Sequence, residues 1–216
     1  MKKIILSLDF PVSEELVDDL NPYLGGVKIG WPLILSMERV KLESLVRRFQ
    51  GIRILDLKLA DIDNTMEMIV NNLRSLGNAF IAHSFIGVQG ALDKLVENEI
   101  DLFLVVSMSH PGWNDAFYPY LREIASKINP KGLVAPATRP DMIARVREDF
   151  PDKVIISPGV GAQGAKPGTA ICHGADYEIV GRSVYQARDP AQKLREIAQS
   201  QEEVMKTCEG AKNRTP

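Results

Sequence analysis

The chain has 216 residues, 45% of them hydrophobic and 25% charged, with a formal net charge of -2 at pH 7. That is ample material for one buried core, and the near-balanced charge, without a dense Lys/Arg run, leaves no electrostatic footprint for nucleic acid. No stretch approaches the roughly 18 consecutive apolar residues of a membrane span. The start, Met1-Lys2-Lys3 before a short strand pattern broken by Asp9, is too short for a signal peptide, so the expected location is the cytoplasm. Cys172 and Cys208 have neither metal-ligand spacing nor a disulfide framework, as suits a reducing compartment.

Along the chain, short apolar strand patterns alternate with helical ones. "KIILSLD" precedes the amphipathic "SEELVDDLNPYL"; "GGVKIG" and "IRILDLK" lead to "NTMEMIVNNLRSLG"; "AFIAHS" is followed by "VQGALDKLVENE" and "DLFLVVSMS" by "YPYLREIASKIN". "GLVAPAT", "RPDMIARVREDF", "KVIISPG", "YEIVGRS" and "DPAQKLREIAQS" complete the series. The periods near two and 3.6 residues distinguish the two kinds of segment. Strands alternating with helices pair in parallel through right-handed crossovers. Eight strand patterns in this length predict a (β/α)8 barrel of the α/β class, a single domain over 1–216 with a tail frayed from about residue 208. An open doubly wound sheet is the alternative, but no Gly-x-Gly-x-x-Gly follows the first strand.

In such barrels the chemistry sits at the C-terminal ends of the strands. The expected strand ends are Asp9, Lys28, Asp56 with Lys58, His83, Ser109, Thr138, Pro158 with Gly159, and Gly181 with Arg182. His83 and Thr138 read as ordinary polar residues after a strand. In "LDLKLADIDNT", however, Asp56 and Lys58 share one face of a strand, since side chains alternate. Burying two ions incurs several kcal/mol of desolvation each unless partners offset it. With Asp9 and Lys28, they form a chain of charges alternating in sign, able to keep Lys58 protonated. "SPGVGAQGAKPGTA" after the seventh strand, with Arg182 after the eighth, has the glycines and the guanidinium suited to phosphate. Residues 163–168 could close over a ligand, with Gln163 as latch.

Taken in order, "LSLD", "VKIG", "LDLKLADI", "MSHPG", "SPGVGAQG" and "VGRS" resemble the orotidine 5'-monophosphate decarboxylase family. The Asp-x-Lys-x-x-Asp element is shared with other barrel enzymes; its combination with the two later motifs is more specific. The resemblance implies a cofactor-free, metal-free carboxy-lyase converting orotidine 5'-monophosphate to uridine 5'-monophosphate, the last step of de novo pyrimidine synthesis. It also implies a homodimer whose sites are completed across the interface, with no nucleic-acid or membrane partner. By that resemblance Asp9 and Lys28 would hold the ribose hydroxyls, Asp56 would lie against the substrate carboxylate and Lys58 would donate the proton. Asp61, Ile62 and Thr65 would come from the neighbouring subunit. Ser109 would contact the pyrimidine, Pro158 would belong to the substrate-binding set, and Gln163, Gly181 and Arg182 would bind phosphate. Many relatives have proline where this chain has Asp63, so Asp63 or Asn64 is expected to cap the following helix.

Two rival functions remain at this level. A sugar-phosphate decarboxylase or aldolase of the same superfamily would use Mg2+ and a carboxylate near the end of the second strand, where this chain has Lys28. A non-catalytic nucleotide-binding barrel would keep the pocket without turnover. Trp31 and Trp113 read as packing or interface residues, and Met66 and Met68 as gap fillers near the dimer surface.

Overall fold

The computed structural model describes residues 2–98 and 100–212. Within them eight parallel strands close into a barrel in sequence order: β1 (Ile4–Leu8), β2 (Leu24–Gly30), β3 (Ile52–Leu59), β4 (Ala79–His83), β5 (Asp101–Val105), β6 (Gly132–Val134), β7 (Val154–Pro158) and β8 (Tyr177–Val180). Each lies where the sequence pattern predicts it. The helices around them are α1 (Glu14–Leu20), α2 (Trp31–Ser36), α3 (Arg39–Arg48), α4 (Asp63–Leu73), α5 (Asp93–Glu97), α6 (Tyr118–Ile128), α7 (Pro140–Asp149), α8 (Thr169–Cys172), α9 (Arg182–Tyr185) and α10 (Pro190–Lys212). The pair α2 and α3 between β2 and β3, and the short α8 and α9, go beyond the sequence-based expectation.

Local chemistry explains several boundaries. The Ser13 hydroxyl accepts from the Leu16 N–H at 3.2 Å and caps α1, with Glu14 and Glu15 against the positive end of the helix. Pro140 opens α7 at a position where its missing N–H costs nothing. Asn129 closes α6 in the left-handed region, at φ 53°, and donates its backbone N–H to Ala125.

Two apolar layers hold the barrel. Ile5, Ile54, Ile81, Phe103, Ile156 and Ile179 fill its interior, and a larger layer, including Leu6, Leu55, Phe80, Leu104 and Leu133, packs between strands and helices. Period-two alternation produces this division. The inward series becomes polar toward the C-terminal ends: Ile5, Ser7, Asp9 from β1; Ile54, Asp56, Lys58 from β3; Phe103, Val105, Ser107 from β5 onward. One side of each strand thus builds both the floor and the rim of a cavity.

The cysteines correct the sequence reading. Cys172, at the end of α8, is disulfide-bonded to Cys208 in α10, with their Cα atoms 5.8 Å apart. Nothing in a separation of 36 residues announces this; the pairing arises because α8 packs against α10. The backbone is helical through Lys212, and only residues 213–216 of the tail expected to fray fall outside the described residues. Closing a loop of this length lowers the entropy of the unfolded chain by an amount worth about 4 kcal/mol in the chain-entropy limit. Reduction with dithiothreitol, or Cys208→Ser, is expected to lower the melting temperature by roughly 8–16 °C; calorimetry of the oxidised and reduced protein, with thiol counting by mass spectrometry, checks this.

Candidate active site

A cavity of about 630 Å³ opens at the C-terminal end of the barrel. Of the residues singled out in the sequence, Asp9, Lys28, Asp56, Lys58, Ser109, Pro158, Gln163, Gly181 and Arg182 line it. They come from the ends of several strands and the loops after them, and only the closed barrel brings them together.

At the centre is Asp56. Its Oδ2 accepts from Lys28 Nζ at 2.6 Å and its Oδ1 from Lys58 Nζ at 2.8 Å. The Asp56 and Lys28 side chains are 10% and 11% exposed, whereas Lys58 is 44% exposed, so one ammonium is locked in place and the other reaches into the cavity. Burial by itself would raise the Asp56 pKa, but the charges of Lys28 and Lys58 and their hydrogen bonds outweigh it and hold the carboxyl below its ordinary value.

Lys58 owes its posture to an irregularity in β3. Between Leu55 and Leu59 the register against β4 shifts, and Lys58 adopts φ 44°, in the left-handed region that non-glycine residues avoid. Such a conformation costs on the order of 1–3 kcal/mol and persists only where the surroundings impose it. With this irregularity the Lys58 ammonium stands on the same rim as Asp56 and bonds to it. His83, at the end of β4, stacks against Phe85 with ring centroids 5.0 Å apart. Burial and then the charge of Lys58 push its pKa down, against the opposite effect of Asp56.

Across the cavity, the turn after β7 is held by Gly161 N–H to Ala165 O at 2.9 Å and Ala165 N–H to Gly159 O at 3.3 Å. Gly161 has φ 78°, and a Cβ there would come within 2.6 Å of Ser183 Oγ, so this close approach requires glycine. The Gln163 side chain folds back over Gly159, and Arg182 opens α9 on the adjacent strand end. On the β5 side, Asp115 accepts from Ser107 Oγ at 3.2 Å, Trp113 Nε1 at 3.0 Å and Arg139 Nη1 at 2.6 Å, which braces the loop bearing Ser109.

Asp61, Ile62 and Thr65 do not line this cavity. Asp61 and Ile62 are exposed, and the Asp61 carboxylate accepts the Ile62 N–H at 2.7 Å. The expected cap at Asp63 or Asn64 is corrected: Ile62 occupies the cap position and Asp63 is the first residue of α4. That position accommodates proline and also favours an acidic side chain through the helix dipole, which reconciles Asp63 with the motif. Trp31 donates its indole N–H to Leu57 O at 3.1 Å and also borders the cavity. Met66 belongs to the core, whereas Met68 is exposed.

Sequence reasoning missed two contacts. The Tyr185 hydroxyl donates to Asp9 Oδ2 at 3.0 Å. The buried Glu178 carboxylate accepts the N–H groups of Gly168 at 2.8 Å and Ala170 at 2.9 Å and the Gln201 amide at 2.9 Å, anchoring the far end of the glycine-rich segment. Both lie near quoted motifs; neither pairing follows from local spacing.

Residues 2–197 match the family model described as orotidine 5'-phosphate decarboxylase / HUMPS family. The chain belongs to that family. It is 53% identical over 215 residues to an orotidine 5'-phosphate decarboxylase of Sulfurisphaera tokodaii, covering 97% of this chain and 100% of the other. A crystal structure of orotidine 5'-monophosphate decarboxylase from Metallosphaera sedula shares 65% identity at a TM-score of 0.91, covering 94% of this chain and 100% of that one. That of Methanocaldococcus jannaschii complexed with the inhibitor BMP shares 30% identity at a TM-score of 0.82, with 93% and 98% covered.

Removing Asp56 leaves two ammonium groups facing one another, one of them buried. Asp56→Ala is therefore expected to lower the unfolding free energy by about 3 kcal/mol. Because the folded pKa is depressed, the stabilisation is fully present above the unfolded value near 3.8 and is lost as pH falls through the folded one. Denaturant melts should show a constant gap between wild type and Asp56→Asn from about pH 5 to 7, shrinking below about pH 4.

Proposed function

We propose that this chain, folded as one domain, is a cofactor-free, metal-free orotidine 5'-monophosphate decarboxylase in which Lys58 protonates C6. The observation that carries the reading is the Lys28, Asp56, Lys58 array at 2.6 and 2.8 Å on one rim of a cavity whose other rim carries Gln163 and Arg182. Its family and its relatives support the same substrate.

The reaction breaks the bond between C6 and the carboxylate. Carbon dioxide leaves, and the electron pair remains on C6 in the plane of the ring, where it cannot delocalise into the π system. A preorganised ammonium is the remedy, because it stabilises negative charge where it develops, with little reorganisation. Lys58 supplies this charge and passes a proton to C6, giving uridine 5'-monophosphate; solvent then restores the ammonium. Asp56 holds the Lys58 ammonium in place through its hydrogen bond and borders the departing carboxylate, while Lys28 holds Asp56 ionised and, with Asp9, binds the ribose hydroxyls. Ser109 and Pro158 border the pyrimidine side, and Gln163, Gly181 and Arg182 hold the phosphate, whose binding energy helps assemble the site.

The second subunit supplies Asp61, Ile62 and Thr65 in this reading. Their position outside the cavity of their own chain supports it, as do the exposed apolar side chains of Leu35, Ile62, Met68 and Phe85. The Mg2+-dependent alternative is disfavoured by Lys28, whose ammonium is bonded to Asp56 where that chemistry needs a carboxylate.

The loss of orotidine 5'-monophosphate absorbance in excess EDTA tests the reaction. Turnover is expected from the unsubstituted chain and a fall of at least about a thousandfold for Lys58→Ala; activity only on a sugar phosphate with Mg2+ would sink the reading. Shared sites are tested by mixing unfolded Lys58→Ala and Asp61→Ala chains and refolding them together. Half the dimers then carry one intact site, so about a quarter of wild-type activity should return; none would return if Asp61 acted within its own chain.

A further inference from the structure

Asp9 and Tyr185 stand 176 residues apart, yet the Tyr185 hydroxyl lies 3.0 Å from Asp9 Oδ2. Asp9 follows β1 and Tyr185 ends α9 after β8, so the bond crosses the seam where the first and last strands meet. We propose that Tyr185 is a positioning residue: its hydroxyl sets which oxygen of Asp9 faces the substrate sugar and ties that contact to the phosphate-binding end of α9. The inference rests on the functional reading above, in which Asp9 meets a ribose hydroxyl and Arg182 the phosphate.

Three observations carry it. First, the terminal torsion of an aspartate is broad and nearly two-fold, so a lone carboxylate presents either oxygen in many orientations. A donor on Oδ2 removes that freedom and leaves Oδ1 for the ligand. Second, Tyr185 lies three residues after Arg182, so the two side chains stand on one turn of the same helix. Third, the Tyr185 ring is held from the side by Phe10, edge to face at 6.2 Å, although Phe10 is 56% exposed. An exposed aromatic placed to steady a half-buried tyrosine is explained by the need to fix its hydroxyl. Burial, with the hydrogen bond and charge of Asp9, also pushes the Tyr185 pKa up to about 12, so the donor keeps its proton at working pH.

Tyr185→Phe preserves the ring and its packing on Phe10 and removes only the donor. Steady-state kinetics are measured on orotidine 5'-monophosphate and on its 2'-deoxy and 3'-deoxy analogues. KM for the natural substrate is expected to rise about tenfold, as for loss of a hydrogen bond to a charged group, with kcat within about threefold of wild type. The KM penalty should fall below about twofold for the analogue lacking the hydroxyl that Asp9 holds, and likewise in an Asp9→Asn background. An equal penalty on all three substrates, a loss confined to kcat, or full additivity with Asp9→Asn would assign Tyr185 a merely structural role and overturn the proposal. Unchanged kinetics in Tyr185→Phe, with an active wild type, overturn this inference alone. An unsubstituted chain that does not act on orotidine 5'-monophosphate overturns the functional reading and this one with it.

Discussion

Asp56 accepts a hydrogen bond from Lys28 on one oxygen and from Lys58 on the other, and the rim of the barrel is organised to hold these three charges together. Two cations for one anion is an unbalanced arrangement. Its surplus positive charge sits on Lys58, the more exposed member, and faces the cavity. A substrate bearing a carboxylate would be drawn to that surplus and, at the same time, set against Asp56. As the proposed reaction proceeds, the substrate's negative charge moves from the departing carboxylate to C6, while the ammonium stays in place. Lys28 matters because it is the less exposed partner: with Lys58, it supplies the charge and the hydrogen bonds that hold Asp56 ionised against its own burial.

Much of this was legible from the sequence because it depends on short periods. Ile54 and Asp56 share a face by strand alternation, and Lys28 lies on the neighbouring strand, so the meeting of Lys28 and Asp56 follows once the barrel is inferred. The irregular part was not legible. The left-handed backbone of Lys58 and the register shift beside it arise from how β3 and β4 fit at the rim, and no residue type signals them. A glycine would have advertised the bend; a lysine conceals it. The same applies to Tyr185 with Asp9 and to Cys172 with Cys208, where the partners are chosen by the closing of the ring or the packing of the last helix. Such pairings depend on three-dimensional closure, which spacing along the chain does not encode.

The segment after β7 is held at both its tip and its far end. Its tip is held by its own backbone bonds around Gly161 and Ala165. Its far end is fixed: the Glu178 carboxylate, fully buried, takes the N–H groups of Gly168 and Ala170, and Gln201 completes its hydrogen bonding from α10. Two residues beyond Ala170, the Cys172 to Cys208 bridge joins the same α8 to the same terminal helix. A Cβ at Gly168 would come within 2.7 Å of Val204, so the chain passes α10 with no space for a side chain. The inner face of α10 thus clamps the base of the loop.

That clamp bears on how phosphate binding can assist chemistry at the opposite rim. A loop free at both ends would lose much of its binding energy to ordering its own chain, because closing a longer flexible segment costs more entropy. With Gly159 continuing from β7 and Gly168 pinned by Glu178, only the short span between them has to settle on a ligand. In the proposed function, more of the interaction with a phosphate would then be left for Gln163, Arg182 and α9, which the Tyr185 contact joins to Asp9 across the seam. The anchoring network outside the cavity and the charge array inside it therefore meet at one opening: the first fixes the base of the glycine-rich segment, and the second sets the Lys58 ammonium against Asp56 at the rim.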